Sequence, residues 1–240
     1  MHSIVGEIRN IHRYPVKSFA GEQLETCKIE PYGLLGDRYC CFYDETKTGW
    51  KRYITARNIP KMLSYQAHYI NEEIHVTAAD GRKFDWDATL LEEIQSHTKT
   101  PISMSQIKDP HPQPELSQLF SVDEASILLI TDASLKRLEA EWGHAVDHRR
   151  FRGNLVIALH DDSLFEGDWI GHRLKIGGVE LQVDSACERC VVITMDPDSL
   201  EKDPSLLKKL NQSFNLQFGV YASVVKTGEV RKGDTVELVE

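Results

Sequence analysis

The stretch HRLKIGGVELQVDSACERCVVIT, from His172 to Thr194, decides how the chain is read. His172 to Ile176 and Glu180 to Val183 are short, β-rich runs, and Gly177-Gly178 between them supplies the backbone freedom of a tight hairpin turn. Val191 to Thr194 is largely β-branched and reads as the next strand. Two thiols and a guanidinium, in Cys187-Glu188-Arg189-Cys190, therefore fall in one short connection between strands.

Outward from this hairpin the same texture continues. Leu155 to Leu159, Phe218 to Val225 and Thr235 to Val239 read as strands, the last two joined through Gly228 and Gly233-Asp234. Ser126 to Ile130 reads as a buried strand. Thr131 or Asp132 then caps a helix running to about Trp142, with Leu135, Leu138 and Trp142 on one face. Asp203, with Pro204 at the first helical position, opens a last helix to about Phe214. Toward the N-terminus, Ile4 to Ile11, Gln23 to Glu30, Arg38 to Tyr43, Leu63 to Ile70 and Glu73 to Thr77 read as strands, with a hairpin turn at Asp80-Gly81. A helix over Asp87 to Thr98 carries Leu90, Leu91 and Ile94 at helical spacing. Asp109 to Pro114 has three prolines on alternate residues, which suits neither ladder nor helix, and marks a boundary. Many strands without regular βαβ alternation predict a mainly β, barrel-like fold with peripheral helices (α+β), in two domains, 1–112 and 113–240.

The 240 residues carry 37 acidic against 28 basic side chains, a formal charge of -9, which disfavours nucleic acid and anionic membranes and makes any anion site local. No secretory leader and no membrane span is legible, so a soluble, cytoplasmic protein is expected. Five cysteines is an odd number and argues against a disulfide framework.

The C-x-x-C pair admits several readings. Structural zinc needs two more ligands, and no second C-x-x-C exists. Thioredoxin-type chemistry needs a helix N-terminus, where a strand is expected. Two inert buried thiols remain open, although Arg189 between them favours a thiolate. Arg149-Arg150-Phe151-Arg152-Gly153-Asn154 concentrates guanidiniums in an acidic chain. A solvated charge run is the ordinary explanation, yet Gly153 permits close backbone approach to a ligand, which suits a phosphate or carboxylate. Pro15-Val16-Lys17-Ser18 and Gly36-Asp37-Arg38 each put a cation beside a turn; taken alone, Lys17 and Arg38 read as surface charges or strand-edge guards, and Asp37 as no more than a partner for a neighbouring arginine. With Arg152 and Arg189 these cations would make an anion cradle if the fold joins the two parts. The ten histidines suggest no metal site, and no Walker loop, dinucleotide fingerprint or nucleophile elbow is present.

Taken in order, Pro15-Val16-Lys17-Ser18, Gly36-Asp37-Arg38, Arg152-Gly153-Asn154, Cys187-Glu188-Arg189-Cys190, Asp196-Pro197 and Phe218-Gly219 resemble the MOSC-domain proteins that carry an N-terminal β-barrel domain. The branch they look most like is that of the mitochondrial amidoxime reducing components and their bacterial counterparts. The resemblance implies a MOSC-type β-barrel and a molybdenum cofactor (molybdopterin) whose metal is held by Cys190, the catalytic ligand. It implies cofactor-binding roles for Lys17, Ser18, Arg38, Arg152, Asn154 and Arg189, with Cys187 in support. It further implies reduction of small N-hydroxylated or N-oxygenated compounds, with electrons supplied by a separate flavoprotein or iron–sulfur protein, since the chain has no ferredoxin-like cysteine cluster. MOSC domains also serve as cofactor or sulfur carriers through a cysteine persulfide, the alternative function. The chain departs from the family pattern in Asp198-Ser199-Leu200 after Asp196-Pro197, in Gly153 where proline is frequent, and in Val220-Tyr221 after Phe218-Gly219. These departures bear on the substrate pocket more than on the metal ligand.

Overall fold

The computed structural model describes residues 2–106, 125–161 and 163–239. The first half runs through β1 (His2–Arg13), β2 (Glu22–Leu24), β3 (Thr26–Glu30), β4 (Gly33–Leu34), β5 (Cys40–Tyr43), β6 (Tyr53–Ile54), β7 (Gln66–Ile70), β8 (Glu73–Thr77), β9 (Lys83–Asp85), helix α1 (Ala88–Gln95) and β10 (Ser103–Gln106). The second half contains β11 (Ile127–Thr131), α2 (Asp132–Trp142), β12 (Leu155–Leu159), β13 (Arg173–Ile176), β14 (Val179–Glu188), α3 (Pro204–Phe214), β15 (Gln217–Lys226), β16 (Gly228–Arg231) and β17 (Thr235–Val239).

Seven strands close a barrel in the order β12, β11, β15, β14, β13, β17, β1, with β1 returning to β12 and β2 flanking β1. All neighbours are antiparallel except β11 and β12, which α2 joins as a crossover, so one βαβ unit is built into an otherwise antiparallel barrel. Alternation fills the interior: Val179, Leu181 and Val183 of β14 point inward, beside Ile8, Leu129, Leu155, Ile157 and Trp169. Burying side chains of this size stabilises by about 1.5–3 kcal/mol each, which fixes the register. The register of β14 against β15 shifts between Val183 and Ser185 and again between Ala186 and Glu188, so the strand bends where it delivers Cys187.

A second core collects Phe19, Phe42, Met62, Tyr65, Leu90 and Ile94 beneath the sheets β10-β5-β6 and β7-β8-β9. Helix α1 covers it with Leu90 and Ile94, and starts at Asp87, whose carboxylate accepts from the amides of Thr89 and Leu90 at 2.9 and 3.3 Å. The sheets do not follow the division at 112/113. The first strand β1 belongs to the barrel, and β16 near the C-terminus pairs with β3, bringing Val230 opposite Cys27. The proline-rich segment at 109–114 and the boundary placed there lie outside the described residues.

The structure alters several local expectations. Val191–Thr194 is a 3-10 turn, not a strand: it pairs with no strand among the described residues, Val191 is exposed, and only Ile193 and Thr194 are buried. The segment Pro60–Ser64 is likewise a 3-10 turn, leaving Gln66–Ile70 as the strand, and the run from Gln23 to Glu30 divides into β2 and β3. The strand expected from Arg38 begins at Cys40, because Arg38 has a left-handed backbone, φ 46°.

Candidate functional site

A cleft of about 140 Å³ opens where the N-terminal turns meet the barrel. Six basic residues line it, Lys17, Arg38, Arg57, Arg150, Arg152 and Arg189, against one acid, Glu188. In a chain of net charge -9 this is a strong local reversal.

Local backbone geometry sets the positions. Ser18, Arg38 and Arg152 all have positive φ, at 68°, 46° and 55°, and all three line the cleft. Such conformations are unfavourable for residues with a Cβ and cluster where function demands a particular side-chain direction. Arg152 ends the 3-10 turn His148–Phe151, which Asp147 caps by accepting the Arg149 amide at 2.8 Å. Arg38 follows Asp37, a buried carboxylate that accepts the Tyr14 amide at 2.7 Å and Nη1 of Arg38 at 2.5 Å. Nη2 of Arg38 reaches the Arg152 carbonyl at 3.3 Å, while Nη1 of Arg152 holds the Phe19 carbonyl at 2.7 Å. The Tyr14 ring carries both guanidiniums, with Arg38 Cζ 4.8 Å and Arg152 Cζ 4.2 Å from its centroid. Burial raises the Tyr14 pKa above its ordinary value, so it stays a neutral phenol under these two cations.

The two cysteines differ sharply. Cys187 closes β14 and is buried, and its sulfur accepts Nη1 of Arg189 at 2.7 Å. Cys190 is exposed at the start of the 3-10 turn. Arg189 also donates Nη2 to the Phe151 carbonyl, and lies 5.3 Å from the Phe151 ring, itself stacked on Phe218 at 4.1 Å. Its guanidinium thus serves Cys187, the opposite of a simple activation of both thiols. The cleft also contains Arg150, tied to the carbonyls of Ile193 and Thr194 and to Asp196 at 2.8 Å. Among the described residues Nε of Arg150 and Nε of Arg189 are buried donors without hydrogen-bond partners, a costly condition that a bound anion would relieve.

The expected residues Lys17, Ser18, Arg38, Arg152, Cys187, Arg189 and Cys190 therefore converge on one cleft. Asn154 does not line it. Its Oδ1 accepts the Leu128 amide at 3.0 Å and its Nδ2 donates to the His12 carbonyl at 3.2 Å, so the side chain ties β11 to β1 behind the wall. Gly153 gives close packing to Ile130 of the core, whose side chain a Cβ would meet at 3.2 Å; it does not give space to a ligand. Thr55 and Arg57 line the cleft without having been singled out in the sequence, while Tyr221, noted as a departure after Phe218-Gly219, and Arg150 line it as well. Arg150 was legible within its arginine run, but nothing in the sequence around Arg57 distinguishes it from a surface charge.

Zinc gains no support: among the described residues no group of three or more His, Cys, Asp or Glu is placed to hold a metal. The thioredoxin reading fails for a different reason from the one expected. A turn does follow Cys190, but it is four residues long, and the first cysteine, Cys187, is buried in a strand. Beside the cleft, across Arg152, His12 and His148 face each other with their Nε2 atoms 3.0 Å apart. Burial, then the neighbouring His148 and Arg149, lowers the His12 pKa to about 4.

Known proteins share this architecture. The chain is 26% identical to mitochondrial amidoxime reducing component 2 of Macaca fascicularis over 97% of its own length and 83% of that protein. It is 34% identical to the human component 2 over a shorter region, 51% of this chain and 41% of that protein. A molybdenum cofactor sulfurase of Bombyx mori is 34% identical over 47% of this chain, which corresponds to only 14% of the sulfurase. The crystal structure of the YUAD protein from Bacillus subtilis superposes with a TM-score of 0.54 at 12% identity, covering 99% of this chain and 97% of that one, which supports the fold alone. The MOSC N-terminal beta barrel domain family matches residues 5–123 and the MOSC domain family residues 116–237. With the barrel, the converging motifs and these matches together, the chain belongs to the MOSC-domain family.

Proposed function

We propose that the cleft binds a molybdenum cofactor with Cys190 as the metal ligand, and that the protein is a molybdenum-dependent oxidoreductase acting on small N-hydroxylated or N-oxygenated compounds. The observation that carries this reading is one exposed thiol at the mouth of a cleft lined by six cations. A soft sulfur ligand suits a soft, redox-active metal, and guanidinium forks suit the phosphate of a pterin cofactor. The donor set fits that group: the unpartnered Nε atoms of Arg150 and Arg189 and the fixed guanidiniums of Arg38 and Arg152 form a cradle already organised for an anion.

When bound, the cofactor would supply the two-electron redox chemistry. The chain's own part is to hold it and orient the substrate. Arg38, Arg152 and Arg189 are held by carbonyl, carboxylate or sulfur acceptors, so little reorganisation accompanies anion binding. Electrons are proposed to arrive from a separate flavoprotein or iron–sulfur protein. A second reading, a sulfur or cofactor carrier using a persulfide on Cys190, is favoured by the exposure of that thiol and by the likeness to a protein named molybdenum cofactor sulfurase.

The deciding measurement is molybdenum and pterin content of the protein and its Cys190→Ala variant, from a host that makes the cofactor, followed by reoxidation with an amidoxime. Near-stoichiometric metal in the parent, lost from the variant, with substrate-dependent reoxidation, is the expected result. Metal that leaves to an acceptor without reoxidation by substrate selects the carrier. Absence of metal from the parent in cofactor-replete cells removes both the ligand assignment and the enzyme.

A further inference from the structure

Arg57 is unlike the other arginines of the cleft. Arg38, Arg150, Arg152 and Arg189 are each anchored by a carbonyl, a carboxylate or the Cys187 sulfur. Arg57 lines the same cleft, is exposed, and makes no side-chain hydrogen bond, ion pair or ring contact among the described residues.

Its backbone, by contrast, is tightly held. Thr55 donates its amide to Asn58 Oδ1 at 3.0 Å, and its hydroxyl accepts the Arg57 amide at 3.3 Å. The Asn58 and Ile59 amides both donate to the Thr55 carbonyl, at 2.8 and 2.9 Å. Ala56 is buried in a small cluster with Leu63 and Met195, against which Val192 packs. That cluster docks the Arg57 turn onto the segment immediately after Cys190, so Arg57 approaches the cleft from the Cys190 side. A fixed Cα with an unengaged guanidinium is the arrangement of a group that meets a ligand, since a structural arginine would have its acceptors within the fold.

We infer that Arg57 is a specificity-determining residue that recognises a carboxylate on the substrate, so that the preferred substrates are N-oxygenated compounds carrying an anionic group remote from the N–O bond. The inference rests on the oxidoreductase reading above. One guanidinium fork matches one carboxylate bidentately, and the acidic remainder of the chain offers it no competitor inside the cleft beyond Glu188. The anchored arginines are the cofactor's share of the cleft, and Arg57 is the substrate's.

The test compares benzamidoxime with its 4-carboxylate on the molybdenum-loaded protein, Arg57→Ala and Arg57→Lys. Calorimetric Kd, KM and molybdenum content are measured for each. In the parent the carboxylate should bind about tenfold more tightly than the neutral compound, a difference of about 1.4 kcal/mol. In Arg57→Ala this preference should vanish, with molybdenum content unchanged, and Arg57→Lys should restore part of it because charge survives and the fork does not. Equal binding of the two compounds by the parent overturns the inference, as does loss of molybdenum from Arg57→Ala, which would assign the residue to the cofactor. If the parent turns over neither compound, the oxidoreductase reading fails separately, while calorimetry with the carboxylate still decides whether Arg57 recognises an anion.

Discussion

The two sides of the cleft are built on opposite principles. In the wall, Arg38, Arg152 and Arg189 are locked by internal acceptors and aromatic rings, on backbone that is twice left-handed. On the rim, Cys190 and Val191 are exposed and Arg57 is unengaged. The wall accepts strain, of about 1 kcal/mol or more per left-handed non-glycine residue, to hold charge in one place. The rim leaves its groups to whatever arrives. The contrast suits a site that keeps one ligand permanently and exchanges another.

If the wall is held as described, removing its central carboxylate should do the most damage to the fold. Asp37 is buried and serves both Arg38 and the Tyr14 amide, so Asp37→Ala leaves a buried guanidinium without its counter-charge and a backbone donor without its acceptor. The expected loss is about 3–5 kcal/mol in urea denaturation, against less than about 0.5 kcal/mol for Val191→Ala on the rim. Similar values for the two variants would erase the distinction between wall and rim.

The next effect is on pH. His12 sits against the wall, packed near Tyr14 and facing His148, with Arg149 and Asp147 nearby and Arg9 acting on His148. Its folded pKa of about 4 lies below the ordinary 6.5, so the unfolded chain binds the proton more readily. Stability from this group is complete above pH 6.5 and is lost as pH falls toward about 4. The loss is at most about 3 kcal/mol, from 1.36 kcal/mol for each pKa unit. Denaturation of the parent and His12→Gln from pH 7 to 4 should show a steeper decline in the parent. Parallel curves would mean that His12 is protonated without penalty.

Much of this was legible in the sequence where a local rule was enough. The Gly177-Gly178 hairpin, the Asp203-Pro204 helix start and the Thr131 cap occur where turn and cap chemistry place them. Val191–Thr194 was misread because β-branched residues favour extended backbone only when a neighbouring strand offers hydrogen bonds, and none among the described residues does. The convergence of Lys17, Ser18 and Arg38 with Arg152 and Arg189 was legible only through the family resemblance, since spacing alone does not say which turns the fold brings together. That Asn154 ties β11 to β1 was not legible, because sequence shows a polar donor but not which strands it joins. Arg57 was invisible for a related reason: its significance lies in the partners it lacks.

The finest distinction between wall and rim lies within the C-x-x-C itself. If Cys187 belongs to the wall, its task is to accept Nη1 of Arg189, and a serine can still accept while an alanine cannot. Cys187→Ala should therefore cost about 1–3 kcal/mol, the usual penalty for a buried donor left unsatisfied, and Cys187→Ser distinctly less. Because no ligand bond to the metal is proposed for Cys187, both variants should retain molybdenum that Cys190→Ala loses, with Cys187→Ala holding it less tightly under dilution than Cys187→Ser. Complete loss of metal from Cys187→Ser would place both thiols on the metal, and the division between an anchoring cysteine and a liganding one would collapse.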